Sequence, residues 1–390
     1  MTPKSDYLVE KKMRIGIVTF WWSQCNYGQV LQAFALLKYF RQMGHDAFVI
    51  RYDHRREPVN VAERFQKFIL LLLSGKLIGY LLKRYTGRKT AAHCGEADSS
   101  RGFDDFRRTH MFFSEQEYDS LASLRLYPPH ADMYVCGSDQ IWNPTLWGRP
   151  LINNVYFLDF GRPEVRRVAF AASFGMRKLP RRISSRISSL LSRLDVITVR
   201  ETSGQKLLEE MGISESRVTC DPTLLVDRSF FYELAEKGRC PSRKRYCFVY
   251  MIGNKARFPK VEFLEFAVKN NWEVIFVGSG FECSLPNEKL SVESWLAAIR
   301  NAEYVITNSF HGTVFSILFQ RQFTLLPLRG NAKKMSSRLH DLLDSLEIPD
   351  RYYSEENKFQ LPPIEYTLVS QKLEALRSLR NAEIKDIFCL

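Results

Sequence analysis

The sequence alternates short apolar segments with amphipathic segments in the order expected of a parallel α/β sheet. Residues 13–22 (MRIGIVTFWW) are apolar and partly β-branched, which predicts a buried first strand. Apolar side chains recur at helical spacing in residues 29–43, Gly44 is placed to end that helix, and residues 46–52 predict a second strand. This strand–loop–helix–strand opening is typical of a doubly wound sheet.

A second series of the same kind follows a basic, proline-bearing segment, residues 237–245. It predicts strands over 246–252, 273–277, 304–307 and 323–326, and helices over 260–270, 292–301 and 313–319. Because 390 residues exceed one compact α/β domain, we predict two Rossmann-like domains facing a cleft. The predicted bounds are 13–190, with a basic helical insert near 60–110, then 195–345, then a tail and closing helix over 346–390.

The charge of the chain indicates anionic partners. Lys and Arg number 56 against 43 Asp and Glu, a formal charge of +13. Residues 64–92 hold seven of these cations, no acid and an apolar run. This insert predicts either an interfacial helix on anionic lipid or a core-packed helical hairpin with a solvated basic face. Nucleic acid is not expected, because no recognised motif accompanies the charge.

The first residues, the length of the apolar runs and the spacing of the cysteines indicate the cellular compartment of the protein. Residues 1–12 are polar and charged, and the longest apolar run, residues 246–252, is too short to span a bilayer. The eight cysteines form no CxxC pair, which favours reduced thiols over a disulfide framework or a zinc site. We therefore expect a cytoplasmic protein, which the basic insert would hold at the inner face of the membrane.

Loops at the carboxyl ends of the predicted strands are the places where such sheets bind ligands. In the loop 308–313, His311 follows a strand and precedes a predicted helix, where an imidazole could transfer a proton and a helix N-terminus favours an anion. Asn308 or Ser309 could cap that helix or bond a phosphate, and Gly312 lets a ligand approach the backbone. The alternative is a capping loop whose histidine fills a surface notch.

Three further loops are candidates. Arg200 ends a predicted strand, where it could bind a carboxylate or phosphate, or pair with Glu201 or another neighbour. The polar turn after residues 132–136 suits contacts with phosphate or sugar hydroxyls, or is a plain turn in which Asp139 caps a helix. The candidate acceptor or cleft residues are Asn26, Tyr27, Gly28, Gln29, Gly137, Ser138, Asp139, Gln140, Trp142 and Asn143.

At these residues the chain resembles the polysaccharide pyruvyl transferase family. The segments that carry the resemblance are NYGQVLQAFALLKYFRQMGHDAFVIRYD (26–53), VCGSDQIWNP (135–144), FAASFG (170–175), VITVRETSGQKLLEEMG (196–212), DPTLL (221–225) and SWLAAIRNAEYVITNSFHGTVFSILF (294–319). Together they cover roughly residues 13–345 and are specific as a set.

The resemblance implies a GT-B-like pair of Rossmann-like domains and an activity. The family's activity moves the enolpyruvyl unit of phosphoenolpyruvate onto a sugar, forming a pyruvate ketal and releasing phosphate. By resemblance, His311 is the catalytic histidine and Arg200 a donor-binding arginine, in an exopolysaccharide or capsule pathway. Neither a metal nor a cofactor is required.

The chain departs from the family at one place. Many members carry Arg-Leu-His, where this chain has Ser309-Phe310-His311, so the donor needs another cation: Arg200, Arg338 or Arg329. The sequence leaves two alternatives open, a GT-B glycosyltransferase that uses a nucleotide sugar and a non-catalytic, membrane-peripheral subunit of glycan assembly.

Overall fold

The computed structural model describes residues 12–56, 101–146, 152–253, 258–279, 285–327 and 337–388. Most of the basic insert, including residues 64–92, and Arg329 lie outside these ranges, so the predictions made for them stay predictions.

The first unit is a parallel sheet of seven strands in the order β3-β2-β1-β4-β5-β6-β7. Ile15 of β1 lies between Ala47 of β2 and Met133 of β4, so the first strand of the chain is central and buried on both faces. The strands are β1 (Arg14–Val18), β2 (Asp46–Tyr52), β3 (Phe113–Tyr118), β4 (Met133–Asp139), β5 (Arg166–Ala172), β6 (Val196–Val199) and β7 (Ser216–Val218). The helices of this part are α1 (Tyr27–Gln42), α2 (Phe103–His110), α3 (Leu121–Leu126), α4 (Arg181–Leu191), α5 (Thr202–Glu210), α6 (Pro222–Leu225) and α7 (Ser229–Lys237).

The second unit is a parallel sheet of four strands in the order β11-β10-β8-β9. Its strands are β8 (Tyr246–Ile252), β9 (Glu273–Ser279), β10 (Tyr304–Thr307) and β11 (Gln322–Leu325). Its helices are α8 (Lys260–Lys269), α9 (Val292–Arg300), α10 (Phe310–Leu318) and α11 (Ser337–Ser345), and the chain closes with α12 (Tyr366–Phe388). The prediction of two Rossmann-like α/β units is confirmed.

The boundary between the sheets falls later than the predicted domain bounds. β6 and β7 were assigned to the second domain from residue 195, but β6 pairs with β5 through Val168 and Val196 and so belongs to the first sheet. The sheets divide instead at the basic segment before β8. The sequence of a short strand does not indicate which sheet the strand joins, because the sheet is decided by the strand with which it forms hydrogen bonds.

The two units share one hydrophobic core. Buried side chains of α1, α9 and α10 pack in a single cluster with residues of β1 from the first sheet and of β8 and β10 from the second. The tail also returns to the first unit, since Tyr39 Oη of α1 donates to Asn381 Oδ1 of α12 at 3.0 Å. The carboxyl ends of strands from both sheets are therefore held close together.

Among the described cysteines, Cys25 departs from the expectation. Cys136, Cys220, Cys240 and Cys247 are free thiols, but Cys25, which directly precedes the N-cap of α1, is disulfide-bonded. The prediction of reduced thiols is therefore wrong at Cys25.

Candidate active site

The candidate site is a cluster of charged side chains at the junction of the two units. Asp139 ends β4, Arg200 follows β6 and Asp221 follows β7, so three strand ends of the first sheet contribute. His311 comes from the second unit, just after β10. This is the placement that parallel α/β sheets give to ligand-binding groups.

His311 lies within helix α10, not before it as the sequence suggests. The helix begins at Phe310, and Ser309 is its N-cap, with its Oγ accepting from the Gly312 N–H at 3.2 Å. Asn308 is tied instead to β8, accepting from Ile252 N at 2.8 Å and donating to Ile252 O at 2.9 Å. Both side chains, predicted as donor-binding, have their hydrogen bonds within their own unit.

Asp221 is the partner of His311. His311 Nε2 lies 3.5 Å from Asp221 Oδ2, and both side chains are nearly inaccessible to solvent. Asp221 Oδ1 accepts from Thr223 N at 3.0 Å and from Thr223 Oγ1 at 2.7 Å, while Ser138 Oγ lies 3.3 Å from Oδ2. Burial acts to raise the pKa of Asp221, but His311 and Arg200 outweigh it and hold that pKa far below its usual range.

Arg200 connects Asp221 to Asp139. Its Nη1 bonds Asp221 Oδ2 and its Nη2 lies 3.2 Å from Asp139 Oδ1. Its guanidinium carbon lies 4.7 Å from the centre of the Phe310 ring, beside His311. Burial acts to lower the pKa of Arg200, but Asp221, Asp139 and Glu201 raise it overall. Arg200 therefore forms ion pairs with neighbouring side chains, as the alternative to ligand binding predicts, and it also lies within the charged cluster.

Arg338 of α11 reaches the same place from the second unit. Its Nη1 lies 3.6 Å from Asp139 Oδ1, and its guanidinium carbon lies 5.4 Å from the Phe310 ring centre. Burial, and then repulsion by Arg200, lower the pKa of Arg338 to about 10. The buried Nε atoms of Arg200 and Arg338 have no hydrogen-bond partner among the described residues. The two guanidiniums therefore share the Asp139 carboxylate, and Arg200 pairs with Asp221 as well.

Glu201 adds a buried carboxyl next to Arg200. Its Oε1 accepts from Ser173 Oγ at 2.7 Å and from Gly175 N at 3.4 Å, while its buried Oε2 has no hydrogen-bond partner in the described part of the chain. Burial raises the pKa of Glu201 and outweighs the opposing effects of Arg200 and Arg338. Burial thus makes ionisation of the Glu201 carboxyl less favourable than in water.

Gly28 in the first turn of α1 allows His311 to occupy its position. A Cβ at residue 28 would lie 2.2 Å from His311 Nδ1, far inside van der Waals contact. Gly137 has a similar role in β4, because its φ is +125° and a Cβ there would lie 2.0 Å from Phe170 O. β4 continues through Asp139, so the first three residues of the predicted turn 137–140 are part of this strand.

Several predicted acceptor residues have structural hydrogen bonds away from this cluster. Asn26 caps α1, and Tyr27 stacks on Trp295 and donates to Leu290 O at 2.8 Å. Asn143 donates to Gln140 Oε1 at 2.8 Å, and the buried Trp142 donates to Tyr156 O at 2.9 Å. Gln29 is half-buried in the first turn of α1. Their role in acceptor binding stays a prediction.

From the sequence, Asp221 and Phe310 had no assigned role, and Glu201 was only a possible ion-pair partner of Arg200. The only signal for Asp221 was its position in Asp-Pro-Thr after a short strand, where Asp221 is the N-cap and Pro222 the first residue of α6. Within the described ranges, no group of three or more His, Cys, Asp or Glu side chains is arranged to hold a metal ion. No described helix is long and apolar enough to cross a membrane.

Comparison with known families identifies the chain. The model of the polysaccharide pyruvyl transferase family matches residues 26–328, which include Asp139, Arg200, Asp221 and His311 but not Arg338. The chain belongs to this family. It is therefore a transferase enzyme, and pyruvyl transfer to a glycan is its general activity. No curated protein matches the chain.

Solved structures that align with most of this chain include a UDP-GlcNAc 2-epimerase and two glycosyltransferases. A Methanocaldococcus jannaschii UDP-GlcNAc 2-epimerase is 10% identical, with 94% of this chain and 93% of that chain covered and a TM-score of 0.45. The glycosyltransferase SnogD from Streptomyces nogalater is 13% identical, with 95% of each chain covered and a TM-score of 0.38. A glycosyltransferase from Rickettsia africae is 11% identical, with 97% and 99% covered and a TM-score of 0.40. These likenesses concern the fold alone.

Proposed function

We propose that this transferase uses phosphoenolpyruvate as the donor and forms a pyruvate ketal on two hydroxyls of a surface-glycan precursor, releasing phosphate. The observation that carries the proposal is a buried cluster: His311 lies beside Asp221, and two arginines with unbonded Nε atoms lie over the ring of Phe310, the residue before His311. The cluster offers a proton donor and a pair of cations at one place. Phosphoenolpyruvate needs both, since it has a carboxylate, a phosphate and a carbon that must be protonated.

Arg200 and Arg338 are the proposed anion clamp. Guanidinium groups bind carboxylate and phosphate in a bidentate manner, and their affinity for anions rises where water is excluded. Arg338 takes the place of the arginine that many family members carry at the position of Ser309. Its guanidinium lies near Phe310, the residue directly before His311. The donor cation is therefore supplied from α11 instead of from the residue two places before the histidine.

His311 is the proposed general acid, positioned by Asp221. A protonated imidazole would give its proton to the methylene carbon of the donor, which creates an oxocarbenium-like carbon. One sugar hydroxyl then forms a C–O bond to that carbon. The adjacent Asp221 carboxylate stabilises the imidazolium and fixes the ring orientation, as carboxylates do for catalytic histidines.

The second half of the reaction closes the ketal. The C–O bond to phosphate breaks with its electron pair going to phosphate, and the second sugar hydroxyl forms the other C–O bond. Of the two hydroxyl protons released, one replaces the proton that became part of the methyl group and the other leaves with phosphate. No redox step is involved, and we propose that no cofactor takes part.

The cluster is closed in this structure, since the side chains of Arg200 and Arg338 are only 2% and 10% exposed. We infer that the donor enters when the contacts between the two units separate, and that closure then excludes water. Exclusion of water protects an oxocarbenium-like carbon from hydrolysis.

Thermal stabilisation by candidate donors tests the proposal. Phosphoenolpyruvate at 100 times its dissociation constant should stabilise the protein by about 2.7 kcal/mol, and nucleotide sugars should not. The His311→Ala variant should still be stabilised but should release no phosphate with an acceptor. Stabilisation by a nucleotide sugar alone would overturn the donor and favour a glycosyltransferase.

A wild-type rate of phosphate release equal to that of His311→Ala would instead favour a non-catalytic subunit.

Acceptor delivery is a separate part of the proposal. We propose that residues 64–92, which lie outside the described ranges, hold the enzyme on anionic lipid near a lipid-linked glycan at the inner face of the membrane. Neutralising Lys83, Arg84, Arg88 and Lys89 should then abolish sedimentation with anionic vesicles and leave phosphate release with a soluble acceptor unchanged. Unchanged sedimentation would overturn this part.

A further inference from the structure

Helix α5, which begins directly after Arg200 and Glu201, has its N-terminus capped by the other unit. Asp341 of α11 accepts a hydrogen bond from Thr202 N at 2.8 Å and another from Thr202 Oγ1 at 2.9 Å, both through Oδ2. The residue in the N-cap position, Glu201, makes no side-chain capping bond. The cap is therefore supplied across the junction of the two units.

The arrangement follows from the needs of a helix start. The first N–H groups of a helix have no partner within the helix, and a carboxylate there is favoured by the helix dipole. The Glu201 side chain is committed to Ser173 and Gly175 inside the first unit. Asp341 therefore supplies the capping carboxylate that the Glu201 side chain does not supply.

The same face of α11 carries Arg338. Residues three apart on a helix lie on one side, so Asp341 and Arg338 approach the first unit together. Ser337 adds a third contact, since its Oγ lies 3.2 Å from Ser203 Oγ of α5. The cap thus ties α11 to the position from which Arg338 reaches Asp139 at 3.6 Å.

We propose that Asp341 is a positioning residue for anion binding. By capping α5 from the second unit, it holds Arg338 beside Arg200, and so couples closure of the two units to completion of the anion clamp. The identity of the anion as phosphoenolpyruvate rests on the proposed function, whereas the coupling between Asp341 and Arg338 does not.

Asp341→Ala is the direct test, and Asp344→Ala, which changes an exposed aspartate further along α11, is its matched control. We measure the dissociation constant for inorganic phosphate and the KM for phosphoenolpyruvate. Asp341→Ala should raise both about five- to thirty-fold, the range expected for loss of a cap, and should change kcat little. Asp344→Ala should change neither, and Asp341→Asn, which keeps an acceptor oxygen, should restore most of the affinity.

A double-mutant cycle decides whether Asp341 acts through Arg338. If it does, adding Asp341→Ala to Arg338→Ala should have no further effect on phosphate affinity. Additive effects, or unchanged phosphate affinity in Asp341→Ala, would overturn the inference. Should Asp341→Ala fail to fold, Thr202→Val removes the hydroxyl half of the contact and should weaken phosphate binding in the same direction.

The outcomes also separate this inference from the proposed function. If wild-type protein binds phosphate and the binding depends on Asp341, but phosphoenolpyruvate supports no transfer, the inference stands and the donor assignment falls. If transfer occurs and neither affinity depends on Asp341, the donor assignment stands and the inference falls.

Discussion

His311 Nε2 lies 3.5 Å from Asp221 Oδ2, and the two residues belong to different α/β units of the protein. The pair exists only when the units are packed together, because Asp221 follows β7 of the first sheet and His311 follows β10 of the second. The same junction brings Arg200 and Arg338 to Asp139. Assembly of the proposed catalytic pair and assembly of the proposed anion clamp are therefore one structural event.

Loss of the His311 imidazole should abolish turnover without unfolding the protein. His311→Ala should lower kcat at least about 100-fold, since a positioned general acid contributes that much or more. Phosphate release with phosphoenolpyruvate and acceptor measures it. His340→Ala is the control, because His340 is exposed and stacks on Tyr352. Similar losses in both variants would contradict the assignment.

Neutralising Asp221 should destabilise the fold as well as the activity. Asp221→Asn leaves the buried Arg200 without its closest carboxylate, and breaking a buried ion pair costs about 3–5 kcal/mol of unfolding free energy. Asp227→Asn is an exposed control that keeps its acceptor for Ser229 N, and it should change stability by less than about 0.5 kcal/mol. Denaturant titration at neutral pH compares the two.

The pH dependence of the Asp221 effect has a definite sign. Because the pKa of Asp221 is lowered in the folded state, its ionisation contributes stability above the unfolded value of 3.8, and this is lost as the pH falls. The gap in stability between wild type and Asp221→Asn should therefore shrink in acid. A gap that stays constant between pH 7 and pH 3 would argue against this account.

Glu201 should show the opposite pH dependence. Burial raises its folded-state pKa above the unfolded value of 4.5, so its contribution to stability is fully present below that value and is lost as the pH rises through the folded pKa. Glu201→Gln should match the wild-type melting temperature in acid and exceed it at pH 8. A lower melting temperature for the variant at pH 8 would show that the ionised form is favoured by the neighbouring arginines.

Adding one methyl group at residue 28 should disturb the proposed catalytic histidine, His311. Gly28→Ala places a Cβ 2.2 Å from His311 Nδ1, and overpacking of this kind costs about 1–3 kcal/mol. Activity should fall more than stability, because the imidazole must move. Gly204→Ala is the matched control inside α5, where the nearest atom is 3.4 Å away and alanine should stabilise by about 0.5–1 kcal/mol. Calorimetry and phosphate release compare the variants.

Hydrophobic periodicity was sufficient to predict most strands and helices, because each buries an apolar face that is visible in the sequence. Element ends were less accurate, since Gly137, Ser138 and Asp139 look like a polar turn and yet form the end of β4, which pairs with β5 at Gly137 and Asp139. Phe310 begins α10 ahead of the predicted start because Ser309 serves as N-cap. Local capping and pairing decided these positions, and both depend on neighbours that the sequence does not show.

By itself, the sequence determined the parallel α/β class, the family and the presence of His311 and Arg200 at strand ends, because periodicity and motifs are local properties. Only the tertiary structure decided which charges meet. Asp221, Arg338 and Asp341 lie 90, 27 and 30 positions from His311 in the chain, and no rule of sequence spacing relates these residues to His311. They meet because two separate sheets pack with their carboxyl ends together, and the free energy of that packing comes from a shared apolar core.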